Sequence, residues 1–202
     1  MKTEAADLCG RYYVDDDTAR EIEKIVQHVE AGLIREAVRG EVHPSATAPV
    51  IYIKDHLLTA GSMRWGFPRY QKSGLLINAR AETVTERPTF RESVLHRRCV
   101  IPAKHYYEWN AEREKVSFSL EDSPILYMAG IYKMVQGQEK FVVITTQAND
   151  SVRPVHDRMP LILDTDELER WVRDDQAVDF ILSKTPVRLE HQQEYRQMTL
   201  KI

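Results

Sequence analysis

The sequence predicts an α+β domain on a mainly antiparallel β-sheet, because strand-like runs occupy the middle of the chain and helical patterns flank them. At 202 residues, 43% of them hydrophobic, the chain is long enough to bury one sizeable core. No internal repeat, low-complexity tract or Gly/Ser-rich linker divides it. We therefore expect a single domain, whose strand order the sequence leaves open.

Local patterns predict the elements in chain order. In residues 18–31, apolar side chains recur at i, i+3, i+4 and i+7 and a glycine follows, which predicts a capped amphipathic helix. Runs of β-branched and aromatic residues predict strands over 49–54, 116–120, 125–134 and 141–146. Gln136-Gly137-Gln138 predicts a hairpin turn between the last two strands. Further helices are expected over 166–173 and 177–182.

The charge is unevenly distributed along the chain. The net charge of −3 argues against general affinity for nucleic acid. Residues 61–105, however, hold nine basic residues and three acids, whereas residues 164–179 hold seven acids and two arginines. This asymmetry predicts one localised site for an anionic partner, unless the arginines are spread over several solvated faces.

Cysteine usage and hydropathy exclude several classes of protein. The two cysteines, Cys9 and Cys99, form no CxxC pair, which excludes a disulfide scaffold or cysteine-rich zinc finger and suits a reducing cytoplasm. No apolar run approaches the roughly 20 residues of a membrane span. The first ten residues also lack the apolar core of a signal peptide. We expect a soluble protein without a membrane segment, metal or cofactor.

Four segments carry polar or ionisable groups beside strand-like stretches: CGR at 9–11, NARAET at 78–83, YEW at 107–109 and HDRMP at 156–160. Singly, each fits an inert thiol, a turn, a strand end or a solvated loop. A carboxyl packed against the neighbouring indole of Trp109 has a raised pKa, as a general acid needs. Together, Cys9, Asn78, Glu108 and His156 suit nucleophilic chemistry on a carbonyl group. Spacing alone does not show that they converge.

In this order the four segments resemble the SRAP family (SOS-response-associated peptidase), whose members are also described as abasic-site processing proteins. Further matches are MRWGF at 63–67 and the predicted pairing of 129–132 with 143–146. The similarity runs from residue 9 to about residue 171. The resemblance implies curved antiparallel sheets that form a barrel-like core with peripheral helices.

The resemblance also implies an activity, the covalent capture of abasic sites in single-stranded DNA through an N-terminal cysteine. It implies a cytoplasmic, nucleoid-associated monomer that needs no cofactor. The matching catalytic residues are Cys9, Asn78, Glu108 and His156, and the matching DNA-contacting residues are Arg11, Trp65, Arg80 and Arg158.

Each side chain has an expected role in this chemistry. Glu108 and His156 are candidates for general acid and base. The neutral amide of Asn78 can orient the reacting amine or a sugar oxygen. Arg80 and Arg158 suit bidentate phosphate contacts. The remaining expectations are that Trp65 stacks on a base or packs in the core, and that Cys99 packs as a small hydrophobe.

The segment before Cys9 departs from the family pattern, in which the cysteine directly follows the initiator methionine. Residues 1–8 are either a leader, removed autocatalytically by attack of Cys9 on the Leu8 carbonyl, or the result of a start site placed too early. We favour the second, with residues 9–202 as the domain. Two other functions stay open: a thiol peptidase acting on its own leader, and a non-covalent binder of single-stranded DNA.

Overall fold

The computed structural model describes residues 10–31, 33 and 39–194. The strands are β1 (Tyr12–Val14), β2 (His28–Val29), β3 (Gly40–Val42), β4 (Thr47–Lys54), β5 (Leu57–Trp65), β6 (Phe67–Pro68), β7 (Leu75–Leu76), β8 (Asn78–Arg80), β9 (Arg98–Ala103), β10 (His105–Trp109), β11 (Lys115–Ser119), β12 (Leu126–Val135), β13 (Gln138–Gln147), β14 (Arg158–Pro160), β15 (Ile162–Leu163) and β16 (Glu190–Glu194). The α-helices are α1 (Asp16–Ile25), α2 (Pro88–His96), α3 (Leu168–Arg173) and α4 (Val178–Ser183). Single 3-10 turns cover Ala81–Thr83, Thr165–Glu167 and Asp175–Ala177.

Five long strands close into a barrel. Antiparallel pairs join β5 to β4, β4 to β9, β9 to β12 and β12 to β13. A parallel pair between β13 and β5, with Lys140 opposite Arg64 and Phe141 opposite Trp65, completes the circuit. The barrel-like core with peripheral helices that the resemblance implied is therefore confirmed.

The barrel strands contribute to two hydrophobic clusters, because neighbouring side chains on a strand point to opposite faces. On β12, Met128 belongs to one cluster and Ala129 to the other. A five-stranded sheet, in the order β16-β11-β10-β1-β3, packs against the first cluster through Tyr12 and Tyr106. Helices pack against the second cluster, to which α3 contributes Trp171. The barrel thus lies between a sheet and a set of helices.

The predicted hairpin turn is confirmed. Val135 pairs with Gln138, and the two residues between them, Gln136 and Gly137, have φ values of 52° and 76°. Positive φ at both central positions is the geometry of a type I′ turn, which matches the twist of the flanking strands.

Two helices differ from the sequence prediction. α1 begins after a capping box formed by Asp15 and Thr18 but ends at Ile25, six residues earlier than predicted. Val26 is extended, and β2 follows because His28 pairs with Thr59 of β5, so sheet pairing overrides the helical pattern. α2 was not predicted, since it buries only Ser93 and Val94 and so has little apolar periodicity.

Gly130 lies where β12 and β9 approach closely, so we expect Gly130→Ala to destabilise the barrel. A Cβ there overlaps Ile101 Cδ1 and lies 3.0 Å from the Val142 carbonyl oxygen and 3.1 Å from Cys99 Sγ. Overpacking of this kind costs about 1–3 kcal/mol, which urea denaturation measures. Adding Ile101→Val removes the closest atom and is expected to restore part of the loss. A double variant with strictly additive destabilisation contradicts this account.

Candidate active site and nucleic-acid interface

The start of β1 runs beside Glu108. Tyr12 pairs with Tyr106, and the Tyr107 amide donates to the Arg11 carbonyl at 2.9 Å. Extending this antiparallel register places Gly10 opposite Glu108. The carboxyl side chain is buried and lies on the same face of β10 as Tyr106, in line with strand alternation. Cys9 itself lies outside the described residues, but the residue that follows it is the neighbour of Glu108.

Trp109 lies on the opposite face of β10 from Glu108, which argues against the packing of the indole on the carboxyl that the sequence suggested. Consecutive residues of β10 point to opposite faces, so the indole lies on the outer side of the five-stranded sheet. There the Arg11 guanidinium carbon lies 5.1 Å from the Trp109 ring centroid. Arg11 also binds Glu41 at 3.2 Å and is about one-third exposed. Arg11 is therefore held near the surface, over an aromatic ring.

Trp65 is a core residue, and the prediction that it stacks on a DNA base is wrong. Its side chain is fully buried, 5.1 Å between ring centroids from Tyr12 and 6.1 Å from Phe141. The indole Nε1 donates to the Ile77 carbonyl at 3.0 Å. Trp65 therefore links β1, which follows Cys9, to the residue directly before Asn78.

Asn78 and Arg80 lie on β8, which pairs in parallel with β13. Asn78 is opposite Val143 and partly buried, and Arg80 is opposite Thr145 and exposed. The strand alternation that directs Ala79 into the second hydrophobic cluster turns both polar side chains away from that cluster.

Hydrogen bonds fix the connection between β13 and β14. Asn149 Oδ1 accepts from the Ser151 amide at 3.0 Å and the Ser151 hydroxyl at 2.6 Å, and its Nδ2 donates to the Pro186 and Val187 carbonyls. The Ala148 amide donates to the Asp157 carbonyl at 3.0 Å. These bonds fix the backbone at the base of a turn that carries His156, whose side chain is 22% exposed.

Two polar groups face Nδ1 of His156. The Arg158 amide nitrogen lies 3.1 Å from it and the Asp157 Oδ1 atom lies 3.0 Å from it. An imidazole nitrogen accepts a hydrogen bond when unprotonated and donates one when protonated. The protonation of Nδ1 therefore decides which of the two groups His156 bonds.

Arg158 is buried and forms its bidentate pair with Glu82, so the predicted bidentate phosphate contact is corrected. Nη1 and Nη2 each donate to one Glu82 oxygen, and Nη2 also donates to the Thr145 carbonyl at 2.7 Å. Hydrogen bonding to Arg158 lowers the pKa of Glu82 from its ordinary value. Arg158 thus joins β14 to the turn after β8, across β13.

A surface cleft of about 360 Å³ lies beside these groups. Its walls combine three arginines with one carboxylate and two further residues: Arg80, Gln147, Ala148, Arg153, Asp157 and Arg158. Arg158 is paired with Glu82 and Arg153 with Asp150, so among the three arginines Arg80 is the best suited to contact an anionic ligand. Arg80 is the member that the sequence predicted to contact DNA and that the structure leaves exposed.

Sequence reasoning missed Tyr70, Glu82 and Asp157. Tyr70 is 86% exposed at the tip of the β6–β7 hairpin, between Arg69 and Lys72. An aromatic residue flanked by basic residues in a turn is a sequence signal that could have drawn attention to Tyr70, since a ring there has no core to enter. Glu82 lies within the NARAET segment, but its pairing with Arg158 is a tertiary contact that spacing does not reveal.

Cys99 packs as predicted. It is fully buried, and burial, together with the Glu139 carboxylate, raises the pKa of its thiol well above the ordinary value. A buried, protonated thiol is a poor nucleophile. Across residues 10–31, 33 and 39–194, no three His, Cys, Asp or Glu side chains are grouped so as to hold a metal ion. No helix within these ranges has the length and apolar character needed to cross a membrane.

The fold and the site define an α+β barrel protein with a basic surface cleft beside a histidine. The family model for SRAP, the SOS response associated peptidase, matches residues 8–198, and the chain belongs to this family. Abasic site processing protein YoqW of Bacillus subtilis (strain 168) is 31% identical over 189 residues, which cover 82% of this chain and 80% of YoqW.

Other relatives match with varying coverage. Abasic site processing protein YoaM of Bacillus subtilis is 36% identical over 126 residues, so the match spans 55% of this chain and 56% of YoaM. A solved structure of a protein from Bacteroides thetaiotaomicron superposes with a TM-score of 0.77 at 24% identity, covering 92% of this chain and 91% of that one. A Bordetella bronchiseptica protein gives the same TM-score at 21% identity, covering 93% and 100%. At these identities the structures support the fold alone.

Proposed function

We propose that this protein recognises abasic sites in single-stranded DNA and captures them covalently through Cys9 as its N-terminal residue. The observation that carries the proposal is the placement of three matching segments around β13 and β1. Asn78 and Arg80 lie directly beside β13, His156 precedes a strand on its other side, and Gly10 lies opposite Glu108. The printed names of the relatives, abasic site processing proteins, support the substrate.

The chemistry uses the two nucleophiles of an N-terminal cysteine. Its amine, with an ordinary pKa of about 8, attacks the aldehyde of the ring-opened sugar and the adduct loses water to give an imine. The thiolate then adds to the imine carbon and the imine nitrogen takes up a proton. The product is a five-membered thiazolidine, in which both the sulfur and the nitrogen of Cys9 hold the sugar carbon.

Proton transfers accompany each step, and we assign them to Glu108 and His156. The buried Glu108 carboxyl lies on β10 beside the start of β1, where the extended register puts Gly10 opposite it. His156 is partly exposed at the edge of the cleft that Asp157 lines. Asn78, at the start of β8, orients the amine or a sugar oxygen by hydrogen bonding.

The cleft residue Arg80 is expected to contact a DNA phosphate. Arg80→Ala should weaken binding of intact single-stranded DNA several-fold and reduce the salt dependence of log K by about 0.7, the contribution of one phosphate contact. Fluorescence anisotropy across a salt series measures both.

Arg170→Ala is the matched control for Arg80→Ala. It removes the same charge from an exposed site on α3, outside the cleft, and should change neither the affinity nor the salt slope. Equal losses in the two variants show that net charge, and not a contact at the cleft, governs binding.

The second pair of variants tests proton transfer. Glu108→Gln and His156→Ala should each slow formation of the covalent adduct by about 100-fold or more, in the range of general acid–base catalysis. Affinity for intact single-stranded DNA should stay within about twofold, because neither side chain is a cation that binds phosphate. If the affinity for single-stranded DNA falls as much as the rate of adduct formation in these variants, Glu108 and His156 contribute to binding or folding and not to proton transfer.

A further inference from the structure

The two groups beside Nδ1 of His156 bond to different forms of the ring. The Arg158 amide, at 3.1 Å, donates to an unprotonated Nδ1, and this bond leaves the hydrogen of the neutral ring on Nε2. The Asp157 Oδ1 atom lies 3.0 Å from Nδ1 and can only accept, so a hydrogen bond between the two requires the hydrogen on Nδ1. In the second form Nε2 carries a lone pair.

The surrounding backbone holds the His156 ring with both groups close to Nδ1. The His156 amide donates to the Val152 carbonyl at 3.0 Å, and the Asp157 carbonyl accepts from the Ala148 amide at 3.0 Å. The two candidate partners of Nδ1 are the next two residues along the chain, so this local backbone positions both.

We propose that Asp157 is a positioning residue that favours the Nδ1–H tautomer of His156 and so provides the Nε2 lone pair that a general base needs. The proposal rests on the proposed function, in which His156 transfers protons. Nε2 takes a proton from the reacting amine or hydroxyl, and the resulting imidazolium keeps its Nδ1–H bond to Asp157. Nε2 then returns the proton to the departing hydroxyl group, which leaves as water, and Asp157 stays ionised throughout.

The expected effect of replacing Asp157 on the reaction rate depends on how exposed its side chain is. The Asp157 side chain is 87% exposed, so water screens its charge more than it screens a buried orienting carboxylate. Asp157→Asn is therefore expected to slow adduct formation about tenfold, less than the 10²–10⁴-fold range of a complete general base. Removing a carboxylate from a cleft lined by three arginines should not weaken DNA binding, so we expect a slower reaction without a loss of affinity.

Asp150→Asn is the matched control. Asp150 lies in the same connection between β13 and β14 and its side chain is 91% exposed, but it pairs with Arg153 at 2.9 Å and not with His156. The two variants make the same change of charge and size. Asp150→Asn should leave both the tautomer of His156 and the rate of adduct formation unchanged.

Nitrogen-15 NMR of the histidine-labelled full chain reads the tautomer directly and without DNA. Spectra are recorded at about pH 9, above the ordinary imidazole pKa of about 6.5, and His156→Gln assigns the signals. The Nδ1–H fraction of His156 should fall several-fold in Asp157→Asn. An unchanged fraction overturns the proposal, whether or not the protein reacts with abasic DNA.

The rate measurement uses whichever form of the chain crosslinks. A fall in the Nδ1–H fraction together with a slower reaction supports the proposal, and an unchanged rate overturns the catalytic part of it. An equal slowing by Asp150→Asn also overturns it, since that variant keeps the Asp157 contact. Absence of any adduct in the unmodified protein contradicts the proposed function instead, and the tautomer measurement still tests Asp157.

Discussion

Replacing Cys9 by alanine is expected to abolish the covalent adduct with abasic single-stranded DNA, whereas Cys99→Ala should leave it intact. Thiazolidine closure needs an amine and a thiol on the same residue, and alanine supplies only the amine. Cys99 is fully buried and its thiol pKa is raised by burial, so it cannot replace Cys9. A heat-denatured gel with labelled DNA shows the adduct, which should fall below detection in Cys9→Ala alone.

The same experiment separates the competing functions. A non-covalent binder retains its affinity for single-stranded DNA in Cys9→Ala and forms no heat-stable adduct even with Cys9 present. A thiol peptidase cleaves peptide substrates in trans and loses that activity in Cys9→Ala. A heat-stable adduct that still forms in Cys9→Ala contradicts the proposal that Cys9 forms a thiazolidine with the sugar.

The second large effect concerns residues 1–8. A chain that begins Met-Cys9, and from which the methionine is removed, should crosslink fully, whereas a chain that retains residues 1–8 should not crosslink. The Cys9 nitrogen is then part of a peptide bond, and resonance with the carbonyl removes the lone pair that attacks an aldehyde. Intact mass before and after incubation with abasic DNA identifies both the N-terminus and the adduct.

Mass also tests self-processing. Time-dependent loss of residues 1–8 from the full chain, absent in Cys9→Ala, supports cleavage by Cys9 of its own leader. Stable crosslinking by protein whose mass still includes residues 1–8 contradicts the mechanism, because no free α-amine is present on Cys9 in that species.

Much of the fold was predictable because its strands carry strong local signals. β4, β12 and β13 are long β-branched runs, and Gly137 marks the hairpin between the last two. α2 was missed because its inward face is mostly small or polar. Residues 28–29 read as helix because their apolar spacing continued that of α1, whereas pairing with β5 makes them a strand.

The site was predictable at the level of residue types but not of contacts. The resemblance pointed to Arg158, yet its burial and its pairing with Glu82 depend on how β8 and β14 flank β13. The aromatic side chain of Trp65 could in principle stack on a base. Only the tertiary structure shows that it is hydrogen-bonded to the Ile77 carbonyl instead. Such outcomes follow from long-range packing, which a single sequence does not encode in any local pattern.

The closing pair between β13 and β5 joins residue 64 to residue 140, so during synthesis the barrel cannot close before residue 140 is available. The ribosome must release most of the chain before β5 meets its partner, and contacts of such sequence separation form slowly. Asn78 and Arg80 take their places only when β13 arrives, and His156 emerges later still. A nascent or truncated chain that ends before residue 140 therefore lacks the strand that holds Asn78 and Arg80 in place, so this part of the candidate site forms only after most of the chain has been synthesised.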